Sequence, residues 1–177
     1  MSGESMIRKG VNSTLYGNRL TAVIRIALGL LLAASGALKL PDPVQFAQVI
    51  MRYDIIPADL APYAAVLVPA LETLLGLLLL VGYRVRAAAL IALAIMLAFG
   101  AFIAVNVARG RSFDCGCFGL GSIGIDFGET VSAWLVVRDL LFAAGFALVA
   151  RAQRHLYSLE YVVERTRLKN LEKVKYE

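Results

Sequence analysis

Four long apolar runs leave this chain few folds to choose from. They cover residues 20–40, 61–81, 87–107 and 130–150, and short polar stretches separate them. In hydrocarbon every backbone N–H and C=O must find its partner inside the protein, so only helices and closed barrels can span it. The runs are continuous rather than alternating, which selects helices. At about 1.5 Å per residue, each run crosses a hydrocarbon core about 30 Å thick. Composition agrees: 59% of the 177 residues are hydrophobic, against about half in soluble domains. The expected fold is all-α, an integral membrane four-helix antiparallel bundle over residues 20–150. Segment 1–19 precedes it, and an amphipathic tail, 151–177, follows.

Within the runs, small residues recur every four positions. Gly29, Ala33 and Ala37 form one such stripe, and Gly100, Ala104 and Ala108 another. Each predicts a face on which a neighbouring helix packs closely. Arg25 lies little more than a turn inside the first run, from where its long side chain can snorkel to the headgroups. Lys39 marks the far end.

Between the first two runs, Asp42 can cap a short helix and Pro43 suits its first position. Phe46, Ile50 and Tyr53 then share one face, and Pro57 is expected to end the helix. This predicts a short amphipathic helix in the outer interface.

Charge distribution predicts orientation. Twelve lysines and arginines lie on the side holding the termini and the 82–86 turn, whereas Lys39, Arg52, Arg109 and Arg111 lie opposite. The positive-inside rule then places both termini in the cytoplasm, in a bacterial inner membrane. The formal net charge of +5 belongs to this asymmetry. The basic residues flank apolar spans and form no aromatic-interleaved patch, which excludes a nucleic-acid-binding class.

The outward loop before the fourth run reads SFDCGCFGLGSIGID. It holds the only two cysteines, Cys115 and Cys117, and five glycines fall between positions 116 and 128. Two cysteines cannot form a tetrahedral all-cysteine metal site, and the single His155 is far away in sequence, so a structural zinc site within one chain is not expected. Three chemistries stay open to the pair: a redox-active disulfide, a static structural disulfide, or a metal or cluster ligand shared between molecules. A ring closed across one glycine is tight, and strained disulfides exchange readily. Arg109 and Arg111 would favour a thiolate and Asp114 would oppose it.

Charged residues inside spans are expensive and normally face the bundle interior. Glu72, Arg138 and Asp139 are of this kind. An ion pair between Glu72 and Arg138 is expected, with Asp139 paired to Lys39 or hydrogen-bonded to Asn106. Lys39, Asn106, Trp134, Arg138 and Asp139 fall in the outward half and Glu72 at the midplane. The set reads either as a polar clamp fixing helix register, or as a cavity that binds a quinone head group or relays protons.

These residues resemble the MauE/DoxX family of redox-associated membrane proteins, its methylamine-utilisation MauE branch in particular. Arg25, Gly29, Ser35, Gly36 and Lys39 match its first-span pattern, and Glu72 and Gly76 its second. Asp114-Cys115-Gly116-Cys117-Phe118-Gly119 matches the MauE-type D-C-G-C-F-G, and Trp134, Arg138 and Asp139 the fourth span. The resemblance implies a membrane protein working with a periplasmic thioredoxin-like protein, with quinone-linked chemistry in the DoxX branch. The expected function is that of a thiol–disulfide oxidoreductase using Cys115 and Cys117. Lys39, Glu72, Asn106, Trp134, Arg138 and Asp139 would line a quinone site. The rival expectation is a non-catalytic anchor or assembly subunit with a structural disulfide.

Overall fold

The computed structural model describes residues 3–113, 115 and 130–152, with side chains from residue 19 onward. Five α-helices form the architecture: α1 (Gly3–Lys39), α2 (Pro43–Arg52), α3 (Ala61–Val81), α4 (Val85–Ala108) and α5 (Ala133–Arg151). Four segments are long and apolar enough to cross a membrane: Arg19–Lys39, Ala58–Val81, Val85–Ala108 and Ala133–Arg151. The protein is thus an all-α membrane bundle. Its outer surface supports this, because Leu20, Leu67, Leu74, Leu97, Leu141 and Leu148 are all exposed. A belt of exposed leucines would be costly in water and is ordinary in lipid. The tail expected over 151–177 lies outside the described residues from 153 onward.

The helices run up and down around a ring in which α1 packs against α3, α3 against α4, α4 against α5, and α5 back against α1. At one end the α3–α4 turn is tight. Gly82 and Arg84 both have positive φ, 76° and 46°, and the N–H groups of Gly82 and Tyr83 both donate to the Leu78 carbonyl. This end is closed by an apolar core of Leu28, Leu79, Val85, Ala89, Phe146 and Val149. The other end carries α2 and Cys115.

Helices α1 and α3 cross closely. A Cβ added to Gly36 would lie 2.5 Å from the Pro69 carbonyl oxygen, and one on Gly76 would lie 2.5 Å from the Ala33 backbone nitrogen. The seam is therefore Gly29, Ala33 and Gly36 against Gly76 and Pro69. Ala37, expected in the stripe, is exposed, because 3.6 residues per turn carries a strict four-residue repeat off the face. For the same reason Ala108 is exposed, and Ile103 and Asn106 continue the buried face of α4 from Gly100.

This seam sets a register with consequences. Gly36, near the end of α1, stands level with Pro69 to Thr73, so the first two turns of α3 project beyond α1. Helix α2 lies against that projection, burying Phe46, Ala47 and Ile50 on Ala61 and Ala65. Its apolar face thus packs on protein rather than resting in the lipid interface. The Asp42 carboxylate caps it, accepting from the Gln45 N–H at 2.9 Å. The helix stops at Arg52, well before Pro57. The chain turns at Asp54, whose φ of 51° is left-handed, a region aspartate enters more readily than most residues.

Candidate functional site

The α2 end of the bundle brings together two groups of residues, one around Cys115 and one around a charged cavity. Asn106 is fully buried on α4. Its side-chain Nδ2 donates to the Tyr53 carbonyl at 3.1 Å and to the Phe102 carbonyl at 3.0 Å. It therefore ties the end of α2 to α4 and does not bond Asp139. The Tyr53 hydroxyl in turn donates to the Cys115 carbonyl at 3.1 Å. The Phe113 ring meets Tyr53 edge-on, with centroids 5.0 Å apart, and the Val131 N–H donates to the Phe113 carbonyl at 2.8 Å. Cys115 is 1% exposed, in a cluster with Tyr53, Ile103, Val131 and Leu135. It carries no free thiol. Cys117 lies outside the described residues, as does Asp114.

Arg109 and Arg111 do not face this cluster. Arg111 pairs with the Asp54 carboxylate at 2.8 Å and reaches the Arg52 carbonyl, while Arg109 reaches the Asp54 carbonyl. Both arginines latch the end of α4 to the end of α2. Gly110, with φ 67°, provides the left-handed turn that lets the chain leave α4 there.

The second group surrounds a partly open cavity of about 50 Å³ between α1, α3, α4 and α5. Lys39 and Glu72 form a salt bridge of 2.9 Å in its wall, and both side chains are only 2% exposed. Ser35 adds a longer hydrogen bond to the same carboxylate oxygen at 3.4 Å. The Lys39 ammonium also sits 5.1 Å from the Phe46 ring centroid and 5.7 Å from that of Phe99, within cation–π range. Arg138 and Asp139, neighbours on α5, bond each other at 3.1 Å. Arg138 also lies over the Phe142 ring at 6.0 Å. Both pairs line the cavity, and Leu28, Leu32, Met96 and Phe146 supply apolar wall.

The pairing differs from that expected. Glu72 is bonded to Lys39, not to Arg138, and Asp139 is bonded to Arg138. The α1–α3 register is the cause. The end of α1 stops short of the start of α3, so Lys39 begins about one turn from the level of Glu72 and reaches it at 2.9 Å. Two adjacent residues on α5 close a pair of their own because the arginine side chain is long enough to fold back across the roughly 100° between them.

Of the six residues expected around a ligand, Lys39, Glu72, Arg138 and Asp139 line the cavity. Asn106, about two turns past Phe99 on α4, serves the Tyr53 clamp farther out. Trp134 is 68% exposed, on the outer surface near the start of α5, where an indole suits a membrane–water interface. Arg25, expected to snorkel outward, is 1% exposed inside the bundle.

Sequence reasoning missed Tyr53 as a polar contact, and Ser35, Phe99 and Phe142 as cavity residues. A tyrosine ending an otherwise apolar face was the available signal for the first. The two groups are stacked. Ile103 follows Phe99 by four residues on α4, and Leu135 precedes Asp139 by four on α5. Cys115 therefore belongs to a cluster whose members on α4 and α5, Ile103 and Leu135, lie one turn outward of the cavity residues Phe99 and Asp139.

The chain matches the family described as methylamine utilisation protein MauE over residues 17–152. Methylamine utilization protein MauE of Paracoccus denitrificans is 34% identical over 122 residues, covering 68% of this chain and 63% of that protein. Its counterpart in Methylorubrum extorquens is 36% identical over 131 residues, covering 73% of this chain and 66% of that one. That of Methylophilus methylotrophus is 40% identical over 91 residues, covering 51% and 48%. Each match thus spans less than two thirds of the relative's own length. No solved structure matches. With the family match running from the start of the first span to the end of the fourth, the chain belongs to the MauE family of membrane proteins.

Proposed function

We propose that this protein serves methylamine utilisation, the process its relatives are named for, as a membrane thiol–disulfide redox protein. In this reading Cys115 and Cys117 form a disulfide that exchanges with a thioredoxin-like protein on the outer side of a bacterial inner membrane. Both termini then lie in the cytoplasm, in line with the twelve-to-four split of basic residues. The observation that carries the reading is that the cluster around Cys115 includes Ile103 and Leu135, one helical turn outward of a cavity walled by the buried Lys39–Glu72 pair and the part-buried Arg138–Asp139 pair.

The cavity suits a quinone as the electron carrier. A quinone ring offers two carbonyl acceptors and an apolar body. Lys39 and Arg138 supply donors, Phe99 and Phe142 supply faces, and the leucines supply a path for a tail. A bound quinone would accept two electrons and two protons when the two thiols return to the disulfide. Glu72 and Asp139 are the carboxylates within that wall.

The test uses the full chain in phospholipid nanodiscs, with reduced thioredoxin as the dithiol and a short-chain quinone as the acceptor. Quinone reduction should require both cysteines. Lys39→Met should weaken quinone binding, read by equilibrium binding as well as by turnover. Full quinone reduction by Cys115→Ser or Cys117→Ser would refute the redox reading. One observation favours a second reading, a non-catalytic anchor with a structural disulfide: the burial of Cys115 among apolar neighbours. Stoichiometric co-purification of a partner, with turnover unchanged after cysteine replacement, would establish that reading instead.

A further inference from the structure

The charged cavity is closed along the bundle axis and open to one side. Toward the α3–α4 turn its floor is Leu28 and Phe146, part of the apolar core at that end. In the other direction the buried Ile103 and Leu135 follow its α4 and α5 residues. The α1–α5 seam sets the side on which it opens. At Gly145 the two helices touch, since an added Cβ would lie 2.9 Å from Leu28 Cδ1 and 3.8 Å from Ile24 Cγ2. About two turns outward on each helix, at Ser35 and Arg138, both helices line the cavity instead. Lys39, Glu72 and Asp139 are buried in its wall, whereas Leu31 is 42% exposed. On α5, Phe142 and Arg138 are partly buried. The mouth therefore lies between Leu31 and Phe142. Leu31 is inside the Arg19–Lys39 span, and its exposed neighbours on the two helices, Leu30, Val137 and Leu141, are apolar. Such a rim opens to hydrocarbon rather than to water.

We propose, resting on the quinone reading above, that this site is loaded sideways from the bilayer and takes a quinone with an isoprenoid tail, which stays in the mouth between α1 and α5. At about 50 Å³ the cavity has room for roughly three or four waters. Only the polar edge of a ring fits in that space, and most of a tailed molecule remains outside it. The ring edge meets Lys39 and Arg138, and the tail lies along Leu31 and Phe142. Phe142 stands at the boundary between the two, with the Arg138 guanidinium 6.0 Å from its ring centroid. The ligand this arrangement fits is amphipathic and dissolved in the membrane: a carbonyl-bearing head for the charged donors and an apolar tail for the rim. A water-soluble carrier entering along the bundle axis would have to pass Ile103 and Leu135, which are 0% and 4% exposed. Leu31 bears no polar side-chain atom, so it recognises the tail and not the head.

Equilibrium binding to the full chain in nanodiscs tests the route, with affinity expressed as mole fraction of quinone in lipid so that partitioning cancels. The probes are a dimethoxybenzoquinone with a geranyl tail and the same ring with none. Leu31→Trp crowds the mouth and should weaken binding of the geranyl quinone about fivefold or more, while the bare ring keeps its affinity within about twofold. Leu74→Trp, on the exposed surface of α3 and away from the cavity, should change neither. In wild-type protein a diazirine on the isoprene unit next to the ring should, on illumination, label the α1 peptide around Leu31 and the α5 peptide around Phe142. That measurement reads the route even if a variant fails to fold. Labels confined to α3 or α4, or an unchanged affinity of Leu31→Trp for the geranyl quinone, would overturn the lateral route and leave the quinone reading standing. Binding of neither quinone to wild-type protein would sink the quinone reading and this inference with it.

Discussion

The Lys39–Glu72 pair offers the sharpest energetic test of the bundle. Its atoms are 2.9 Å apart and its side chains are 2% exposed. The only other hydrogen bond to the carboxylate among the described contacts is the longer one from Ser35. Lys39→Met keeps the length of the stem and leaves the Glu72 carboxylate without its countercharge. Glu72→Gln keeps the shape and leaves the ammonium between two phenyl rings. Breaking a buried pair from one side costs about 3–5 kcal/mol, whereas replacing both partners by apolar groups is often neutral or stabilising. Each single variant should therefore lose about 3 kcal/mol or more, and Lys39→Met/Glu72→Leu should lie close to wild type. Reversible unfolding by SDS in mixed micelles, followed through Trp134 fluorescence, reads all of these. The double variant should recover at least about 3 kcal/mol relative to the sum of the Lys39→Met and Glu72→Leu effects. Additivity within about 0.5 kcal/mol would refute the pairing, since that is how independent sites behave. A parallel cycle between Glu72 and Arg138 should show markedly weaker coupling, because Arg138 is bonded to Asp139.

Four further outcomes follow from the packing. Gly36→Ala and Gly76→Ala drive a Cβ to 2.5 Å of the backbone across the α1–α3 seam and should each cost about 1–3 kcal/mol in the same titration. Gly100→Ala meets only the Asp139 Cβ at 3.6 Å and should be neutral or stabilising by up to about 1 kcal/mol through helix propensity. Asn106→Leu strips the Tyr53 carbonyl of its buried donor, which should cost about 1–3 kcal/mol and raise hydrogen exchange in the last turn of α2. Arg111→Ala breaks a pair whose side chains are 40% and 68% exposed. It should change stability by less than about 1 kcal/mol, with any effect fading in high salt.

Much of this fold is written in residue types that act locally. Runs of apolar residues longer than a bilayer is thick, bounded by Arg19, Gly82, Arg84 and Arg109, define the spans to within a few residues. Asp42 and Pro43 start α2 as their chemistry requires. The end of α2 was less legible, because Pro57 is the stronger breaker by type, yet the helix gives way earlier at a left-handed Asp54. Packing decided that. Asn106 takes the Tyr53 carbonyl, and Arg109 and Arg111 take the carbonyls of Asp54 and Arg52. Carbonyls claimed by another helix are not legible in a local window. The cavity residues were half legible. Burial cost singles out Lys39, Glu72, Arg138 and Asp139 in any apolar span, whereas the phenylalanines beside them look like any other core residue.

What the sequence could not give was the register between helices, and here register carries the chemistry. A stripe of glycine and alanine announces close packing but not the level at which it occurs. The contact of Gly36 with Pro69 and Thr73 sets that level, with two results. It exposes the start of α3 as a platform for α2, and α2 then delivers Tyr53 to the Cys115 carbonyl. It also sinks Lys39 to within reach of Glu72, which leaves Arg138 to pair with its neighbour. The cavity thus has one ion pair spanning α1 and α3 and another held wholly on α5. On the proposed reading, a quinone would enter between these two halves without breaking either pair. Had Glu72 paired with Arg138, as residue depth alone suggests, the bridge would have run from α3 to α5 across the cavity. The close glycine crossing therefore does more than pack two helices, because it keeps the charged cavity open beneath the cluster that holds Cys115.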